Sequence, residues 1–130
     1  SSENRELVDA TVFDLLKAYQ NILDTKTFEK DYEVEITEMS VTDRIQHVLD
    51  ILNSSDSVTF DSFFTILNSK QEVIVTFLAI LELMRLKLLR IQQGQHFETI
   101  RIYKAADQKT QDAVLQEYQR TIDAEPSESS

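Results

Sequence analysis

His47 and Asp50 are the residues whose types and spacing come nearest to a metal site. Three positions apart on a predicted helix, they would place an imidazole and a carboxylate on one face. A zinc site needs three or four ligands, and the chain has two histidines and no cysteine. No third ligand is evident, and His96 lies in a predicted turn. We therefore interpret the pair as part of a solvated helix face and expect no metal.

Carboxylates are most concentrated at Glu29, Asp31, Glu33, Glu35 and Glu38. They lack the ligand spacing and central glycine of a calcium loop, so a solvated linker is the better interpretation. No serine lies in a nucleophile elbow or an SxxK pattern. The single glycine excludes the phosphate-binding loops of nucleotide enzymes, since those loops need several glycines. The sequence therefore predicts a protein that is not an enzyme and binds no cofactor.

Charge and composition narrow the class of protein further. The 130 residues carry a formal net charge of −10, which opposes broad nucleic-acid binding because that binding depends on neutralising phosphates. Residues 70–104 nevertheless hold six basic and three acidic side chains, between acidic flanks. No apolar run is long enough to span a bilayer, and the first residue is not Met. We expect a soluble, cytoplasmic fragment or processed form of a longer protein.

Two single helices flank the middle of the chain. Residues 6–23 have the apolar periodicity of an amphipathic helix, and the residues after it are polar and acidic. Its stripe comprises Val8, Val12, Leu15, Leu16, Tyr19, Ile22 and Leu23. Residues 1–39 are therefore interpreted as a helix plus an acidic linker. Residues 105–122 predict a C-terminal helix with a thinner stripe, and 123–130 a disordered tail.

Residues 40–104 show the element order of a winged-helix domain. A helix over 40–53 is followed by a short extended segment at 58–60. Asp61 would cap a short second helix, and a third helix over 71–87 is apolar nearly all round, which is typical of a central core helix. The second helix would hold Phe63, Phe64, Ile66 and Leu67. The predicted fold class is mainly α with a small β-hairpin, a winged-helix domain preceded and followed by single helices.

The predicted hairpin offers two kinds of surface. Its strands are joined through Gly94, where a positive φ is most useful. Its apolar positions would contact a partner or close the core, and its edge could pair with a partner strand. These apolar positions are Leu89, Ile91, Phe97 and Ile100. Lys87, Arg90 and Arg101 would instead contact phosphates if the domain bound DNA.

The third helix argues against reading DNA in a groove. It is too apolar for that task, and the positions that look exposed are neutral or acidic, whereas phosphate contacts need basic side chains. Those positions are Gln71, Glu72, Thr76 and Glu82. A DNA-binding winged-helix transcription regulator, with residues 6–23 as a dimerisation helix, therefore stays as an alternative to a protein-binding module.

The segment Glu72–Met84 is followed at short distance by Gln93, Phe97 and Ile100. This order resembles the carboxy-terminal domain of the bacterial kleisin family, segregation and condensation protein A. Matching positions are Thr76, Phe77, Leu78, Ala79, Leu81, Glu82, Leu83, Gln93, Phe97 and Ile100. Glu98 and Thr99 stand where the family pattern has Gly and Asp. Residues 11–23 and 40–52 resemble the preceding helix and the first helix of that domain, so the resemblance covers about residues 6–104.

The resemblance implies a non-catalytic subunit of the bacterial SMC complex, which condenses and segregates chromosomes during the cell cycle. The winged helix would dock on an SMC ATPase head, and the kleisin middle region, which would end near residue 39, would bind segregation and condensation protein B through a contact mostly outside this fragment. DNA would be contacted only indirectly, the protein would be associated with the nucleoid, and no membrane would be involved. Candidate head-binding residues are Leu89, Arg90, Ile91, Gln93, Phe97 and Ile100. Candidate interaction residues on the upstream helix are Val12, Phe13, Leu16 and Tyr19.

Overall fold

Four helices and a four-stranded antiparallel sheet form the regular structure of residues 8–28, 38–93 and 99–124, the parts of the chain that this computed structural model describes. The helices are α1 (Val12–Thr25), α2 (Glu38–Asn53), α3 (Lys70–Arg85) and α4 (Gln108–Ala124). The strands are β1 (Val8–Asp9), β2 (Val58–Thr59), β3 (Leu89–Gln93) and β4 (Ile100–Lys104). The predicted fold class is confirmed: the chain is mainly helical, and a winged helix is preceded and followed by single helices.

The hairpin of β3 and β4 is the centre of the sheet, whose strand order is β1-β3-β4-β2. Ile91 pairs with Ile102 and Arg90 with Tyr103, so apolar side chains lie on one face and polar ones on the other. β1 extends the sheet beyond β3, and the Ala10 N–H donates to the Ile91 carbonyl at 3.3 Å. β2 pairs with the other side of β4. The predicted strands are confirmed, whereas β1 was not expected.

The third predicted helix, α3, is the central helix of the core. Ser69 begins it, because its hydroxyl accepts a hydrogen bond from the Glu72 N–H at 3.1 Å. Its buried residues are Val73, Val75, Thr76, Phe77, Ala79, Ile80 and Leu83. The expectation that Thr76 is exposed is wrong. Its hydroxyl donates to the Glu72 carbonyl at 2.8 Å, so the helix itself satisfies this buried polar group.

The end of α3 uses an unusual residue. The Leu88 N–H donates to the Leu83 carbonyl at 2.9 Å, and the Lys87 N–H donates to the Met84 carbonyl at 3.0 Å. These two bonds form a Schellman motif, in which Lys87 has a φ of 62°. Glycine is the usual residue at such a position. Because no glycine stands at this position, nothing in the sequence marked the end of the helix. The helix was predicted to extend to residue 87, but it ends at Arg85.

α1 begins later than the helix predicted over residues 6–23. Thr11 and Asp14 form a capping box: the Thr11 N–H donates to Asp14 Oδ2 at 2.8 Å, and the Asp14 N–H donates to Thr11 Oγ1 at 3.3 Å. The two residues of β1 are extended because they pair with β3. The helical assignment over residues 8–11 is therefore wrong, and apolar periodicity alone could not show it.

The predicted second helix is a 3-10 turn, Phe60–Phe63. Both phenylalanines are buried and lie three residues apart, and a 3-10 turn has three residues per turn, so both reach the core. Asp61 lies inside this turn and does not cap an α-helix. Of the remaining residues assigned to that helix, Phe64 and Leu67 are buried, whereas Ile66 is exposed.

α4 is attached to the end of α2 by side-chain amides. Gln111 donates to Asn53 Oδ1 at 3.0 Å and to the Ala106 carbonyl at 3.0 Å, and Asn53 donates to Gln111 Oε1 at 2.8 Å. Asp107 caps the helix by accepting from the Thr110 N–H at 2.9 Å. The predicted helix over 105–122 thus corresponds to α4. The stretch 29–37, the Gly94 turn with His96 and Phe97, and the tail beyond residue 124 lie outside the described residues.

Candidate functional site

Leu89, Ile91 and Ile100 face the core of the domain. All three are buried and belong to the same apolar cluster as residues of the helices. Of the two roles considered for these side chains, contact with a partner or closure of the core, they have the second. Their predicted role as direct head contacts does not fit this arrangement, because a side chain buried in the core has no surface to offer. Arg90 is exposed and Gln93 is half-buried, so both reach the surface. Phe97 lies outside the described residues.

Both outer edges of the hairpin are covered by short strands. β1 pairs with β3 through Val8 and Gln93, and β2 pairs with β4 through Val58 and Ile102. The backbone groups expected to accept a partner strand are therefore already paired with this chain at these positions. A partner strand would have to displace β1 or β2, which disfavours strand addition to the hairpin.

Three of the five large apolar side chains that are exposed among the described residues lie close together on α1. Val12, Phe13 and Leu16 are 56%, 75% and 39% exposed. The adjacent side of the helix is anchored: Leu15 and Ile22 are buried, and the Tyr19 ring stacks on Phe77 with centroids 4.0 Å apart. Of the four α1 candidates, three are thus available to a partner, and Tyr19 instead joins α1 to α3.

A cleft lies beside α1, and of the two candidate sets it is lined by Gln93 and Ile100 alone, with no α1 candidate among its residues. It has a volume of about 330 Å³ and lies between α1, the 3-10 turn and the distal end of the hairpin. Its lining residues are Asp14, Lys17, Ala18, Asn21, Asp61, Gln93, Thr99 and Ile100. Sequence reasoning missed most of these polar residues. Asp14, Lys17 and Asn21 recur at helical spacing on one flank of α1, and that periodicity was the available signal.

Of the two carboxylates that line this cleft, Asp14 and Asp61, Asp14 is held ionised by the start of α1. Hydrogen bonds from the Thr11 N–H and hydroxyl lower the pKa of the Asp14 carboxyl, and Lys17 lowers it further. On α3, two hydrogen bonds from the Arg85 guanidinium, at 2.6 and 3.0 Å, lower the pKa of Glu82. Both shifts favour the charged form. Neither group is therefore poised to exchange protons near neutral pH, as a general acid or base would be.

The described residues form no cluster of metal-ligating side chains. No group of three or more His, Cys, Asp and Glu side chains there could hold a metal ion. His47 and Asp50 are both exposed on α2, where Asp50 accepts from Gln46 at 2.9 Å. His47 also lines a cavity of about 400 Å³ with Arg44, Asp43 and Glu72 among its residues, a mixture of charges. None of the described helices has the length and hydropathy needed to cross a membrane.

Comparison with known protein families identifies the family that has this helix followed by a winged helix. The family model described as "Segregation and condensation protein ScpA" matches residues 3–105, which include α1 and the whole winged helix. The chain belongs to this ScpA family. α4 lies beyond the segment that the ScpA model matches. Solved structures give no significant match.

Curated relatives of the ScpA family agree with this assignment. Segregation and condensation protein A of Listeria welshimeri is 36% identical over 94 residues, 69% of this chain and 37% of the relative. The Bacillus licheniformis protein is 34% identical over 102 residues, 76% of this chain and 40% of the relative. The Brevibacillus brevis protein is 32% identical over 100 residues, which are 75% of this chain and 39% of the relative. The chain thus spans about two fifths of the length of these relatives.

Proposed function

We propose that the chain is a non-catalytic kleisin segment of a bacterial SMC complex that condenses and segregates chromosomes. The observation that carries this proposal is the ScpA family match, which runs from before α1 through the end of the hairpin. In this proposal the winged helix docks on an SMC ATPase head, and ATP hydrolysis in that partner supplies the energy. The protein acts in the cytoplasm, associated with the nucleoid.

The docking surface we propose is centred on the exposed apolar flank of α1. Protein interfaces obtain most of their binding energy from a few large anchors that lose contact with water. Among the described residues the exposed large apolar side chains are Val12, Phe13, Leu16, Ile66 and Leu78. Three of these five lie within two turns of α1. Arg90 and Gln93 are the accessible members of the hairpin set and would lie at the rim.

Two features support an adaptor over a transcription regulator. The helix that would enter a DNA groove, α3, has Glu72 in its first turn and buries Thr76, so it presents no basic row. Its last-turn Arg85 is already paired with Glu82. The other partner we propose, segregation and condensation protein B, would be contacted by the kleisin middle region, mostly through residues outside this chain, in line with the kleisin resemblance.

Calorimetric titration against the ATPase head of a bacterial SMC protein tests this proposal. Wild-type chain is expected to bind with defined stoichiometry. Phe13→Glu should weaken binding at least about tenfold, because a charge at an apolar anchor loses its contacts and must be desolvated. Phe13 is exposed, so circular dichroism should show an unchanged fold. The matched control is Gln116→Glu on α4, which adds the same charge at another exposed position.

The two possible failures are distinguishable. No binding by the wild-type chain would overturn docking on the head. Binding that Phe13→Glu and Leu16→Glu both leave unchanged would keep the adaptor proposal and overturn the α1 surface, directing attention to Arg90 and Gln93.

A further inference from the structure

The polar face of the sheet carries a pair of arginines. Arg90 is opposite Tyr103 and Gln92 is opposite Arg101, so these four residues share the face that points away from the core. We call it the outer sheet face. Arg90 and Arg101 are diagonal neighbours on adjacent strands, and such neighbours lie about 7–8 Å apart. The turn before β3 adds Lys87, which is exposed.

Both guanidinium groups are held in place by neutral partners. The Arg90 guanidinium lies 5.3 Å from the centroid of the Tyr103 ring, a cation–π contact. Arg101 Nε donates to Ser57 Oγ at 3.0 Å. The ion pairs within the described part of the chain join other arginines, Arg85 and Arg120, to glutamates on their own helices. Those pairs do not involve Arg90 or Arg101, and the register places one acidic residue, Asp9 of β1, opposite Gln92 beside the two arginines.

The composition of this face favours phosphate over a protein partner. A protein interface needs an apolar centre, and the exposed large apolar residues of the described chain lie on α1, on α3 and at Ile66, not on the sheet. Nucleic-acid interfaces are more polar and more positive, and most of their hydrogen bonds go to phosphate and sugar. Arginine suits this task because its planar fork matches phosphate oxygens.

We propose that the outer sheet face binds the phosphate backbone of duplex DNA through Arg90 and Arg101. This contact is separate from the α1 docking surface, although Arg90 lies at its proposed rim, and it differs from groove reading by α3. A sheet four strands wide spans about 14 Å, wider than the major groove of about 12 Å, so the face lies along the backbone. Binding is then independent of DNA sequence.

The expected affinity is low and strongly dependent on salt. The chain as a whole carries −10, which opposes the approach of DNA except at this face. Two phosphate contacts predict a slope of about −2 in the logarithm of the binding constant against that of salt concentration. A contact of this strength becomes significant when other contacts already hold DNA close, because the second contact is then intramolecular.

NMR titration of the ¹⁵N-labelled chain with a short mixed-sequence duplex at low salt tests the proposal. Amide shifts should concentrate on β3 and β4, and a duplex of a second sequence should give the same map. Arg90→Gln and Arg101→Gln should each weaken binding and reduce the salt slope by about 1. Arg120→Gln on α4 removes the same charge from an exposed position and should leave both unchanged.

Four results would overturn the proposal. They are no shifts with DNA at low salt, shifts centred on another surface, arginine variants that bind like wild type, and tighter binding to poly-glutamate than to DNA. The last would assign the face to an acidic protein. Circular dichroism checks that the variants are folded. Head binding by Arg101→Gln should equal that of wild type, and its loss would place this face in the head interface instead.

Discussion

Gln111 is the buried residue of α4, and its side chain is 1% exposed. A buried amide is tolerated only when its donors and acceptor are satisfied, because an unpaired polar group keeps its full desolvation cost. Asn53 at the end of α2 supplies both a donor and an acceptor, at 2.8 and 3.0 Å. The pair therefore sets where α4 crosses α2.

Replacing Gln111 by Ala should destabilise the chain by about 1–3 kcal/mol, since Asn53 Oδ1 then loses its donor, while the Asn53 amide nitrogen keeps Gln108 as an acceptor. Urea denaturation followed by circular dichroism measures this. Gln116→Ala, exposed on the same helix, should change stability by less than about 0.5 kcal/mol. The double variant Asn53→Ala with Gln111→Ala should cost less than the two single changes added. Strict additivity would contradict the coupling.

At the scale of elements, aspartate carboxylates take part in the N-terminal caps of α1 and α4. Asp14 accepts hydrogen bonds from Thr11, and Asp107 accepts from Thr110; in each case these bonds are the main cause of a lowered carboxyl pKa. A lowered pKa in the folded state means that the ionised form favours folding. The helix dipole acts in the same direction, since negative charge is favourable near a helix N-terminus.

The chain should therefore lose stability as the pH falls below about 4, the ordinary pKa of aspartate, through the lower folded-state values. Above pH 4 the stabilisation is fully present. Asp14→Asn and Asp107→Asn should each reduce this loss of stability at low pH, which thermal unfolding at a series of pH values measures. Asp24→Asn, an exposed site at which no such capping bond is seen, is the control. If both variants lost as much stability at low pH as the wild type, the two capping carboxylates would not be the cause of that loss.

α4 covers the winged helix although it lies beyond the family match. Val114, Leu115 and Tyr118 pack against the core from one side of α4. A chain ending at Ala105 should lose about 2–4 kcal/mol, because the apolar surface under α4 becomes exposed. Thermal denaturation of both lengths measures this. SMC head binding should persist in the shorter chain, and equal stability of the two lengths would contradict a structural role for α4.

At the scale of the whole molecule, α1 and the winged helix share one core. Leu15 and Ile22 belong to the same buried cluster as residues of α2, α3 and the hairpin, and β1 joins the start of α1 to the sheet. A helix of this length is marginal alone in water, so its stability must come from this packing. α1 and the domain should therefore unfold together.

Tyr19→Ala tests that cooperativity. Loss of the stack on Phe77 and of the buried part of the ring should lower the stability of the whole chain by about 1–3 kcal/mol. Hydrogen exchange of α2 and α3 amides should accelerate together with that of α1. Phe13→Ala, exposed on the same helix, is the matched control and should leave exchange unchanged. Faster exchange confined to α1 would show that the helix frays independently.

Local pattern was sufficient for most elements and insufficient for their ends. The 3.6-residue periodicity of α1, α2 and α3 and the alternation around Ile91 and Ile102 are properties of neighbouring residues, so they are legible in the sequence. The start of α1 depends on pairing of β1 with β3, and the end of α3 on a left-handed Lys87. Both depend on contacts or backbone angles that periodicity does not encode.

For the candidate site too, some features could be predicted from the sequence and others could not. The sequence by itself determined which family the helix and winged helix resemble, because residue types and their order carry that information. Only the tertiary structure decided that Leu89, Ile91 and Ile100 are core, that Phe13 is exposed, and that Arg90 and Arg101 share a face. An apolar residue on a strand or helix can face the core or solvent. Which face is buried is settled by the elements that pack against it.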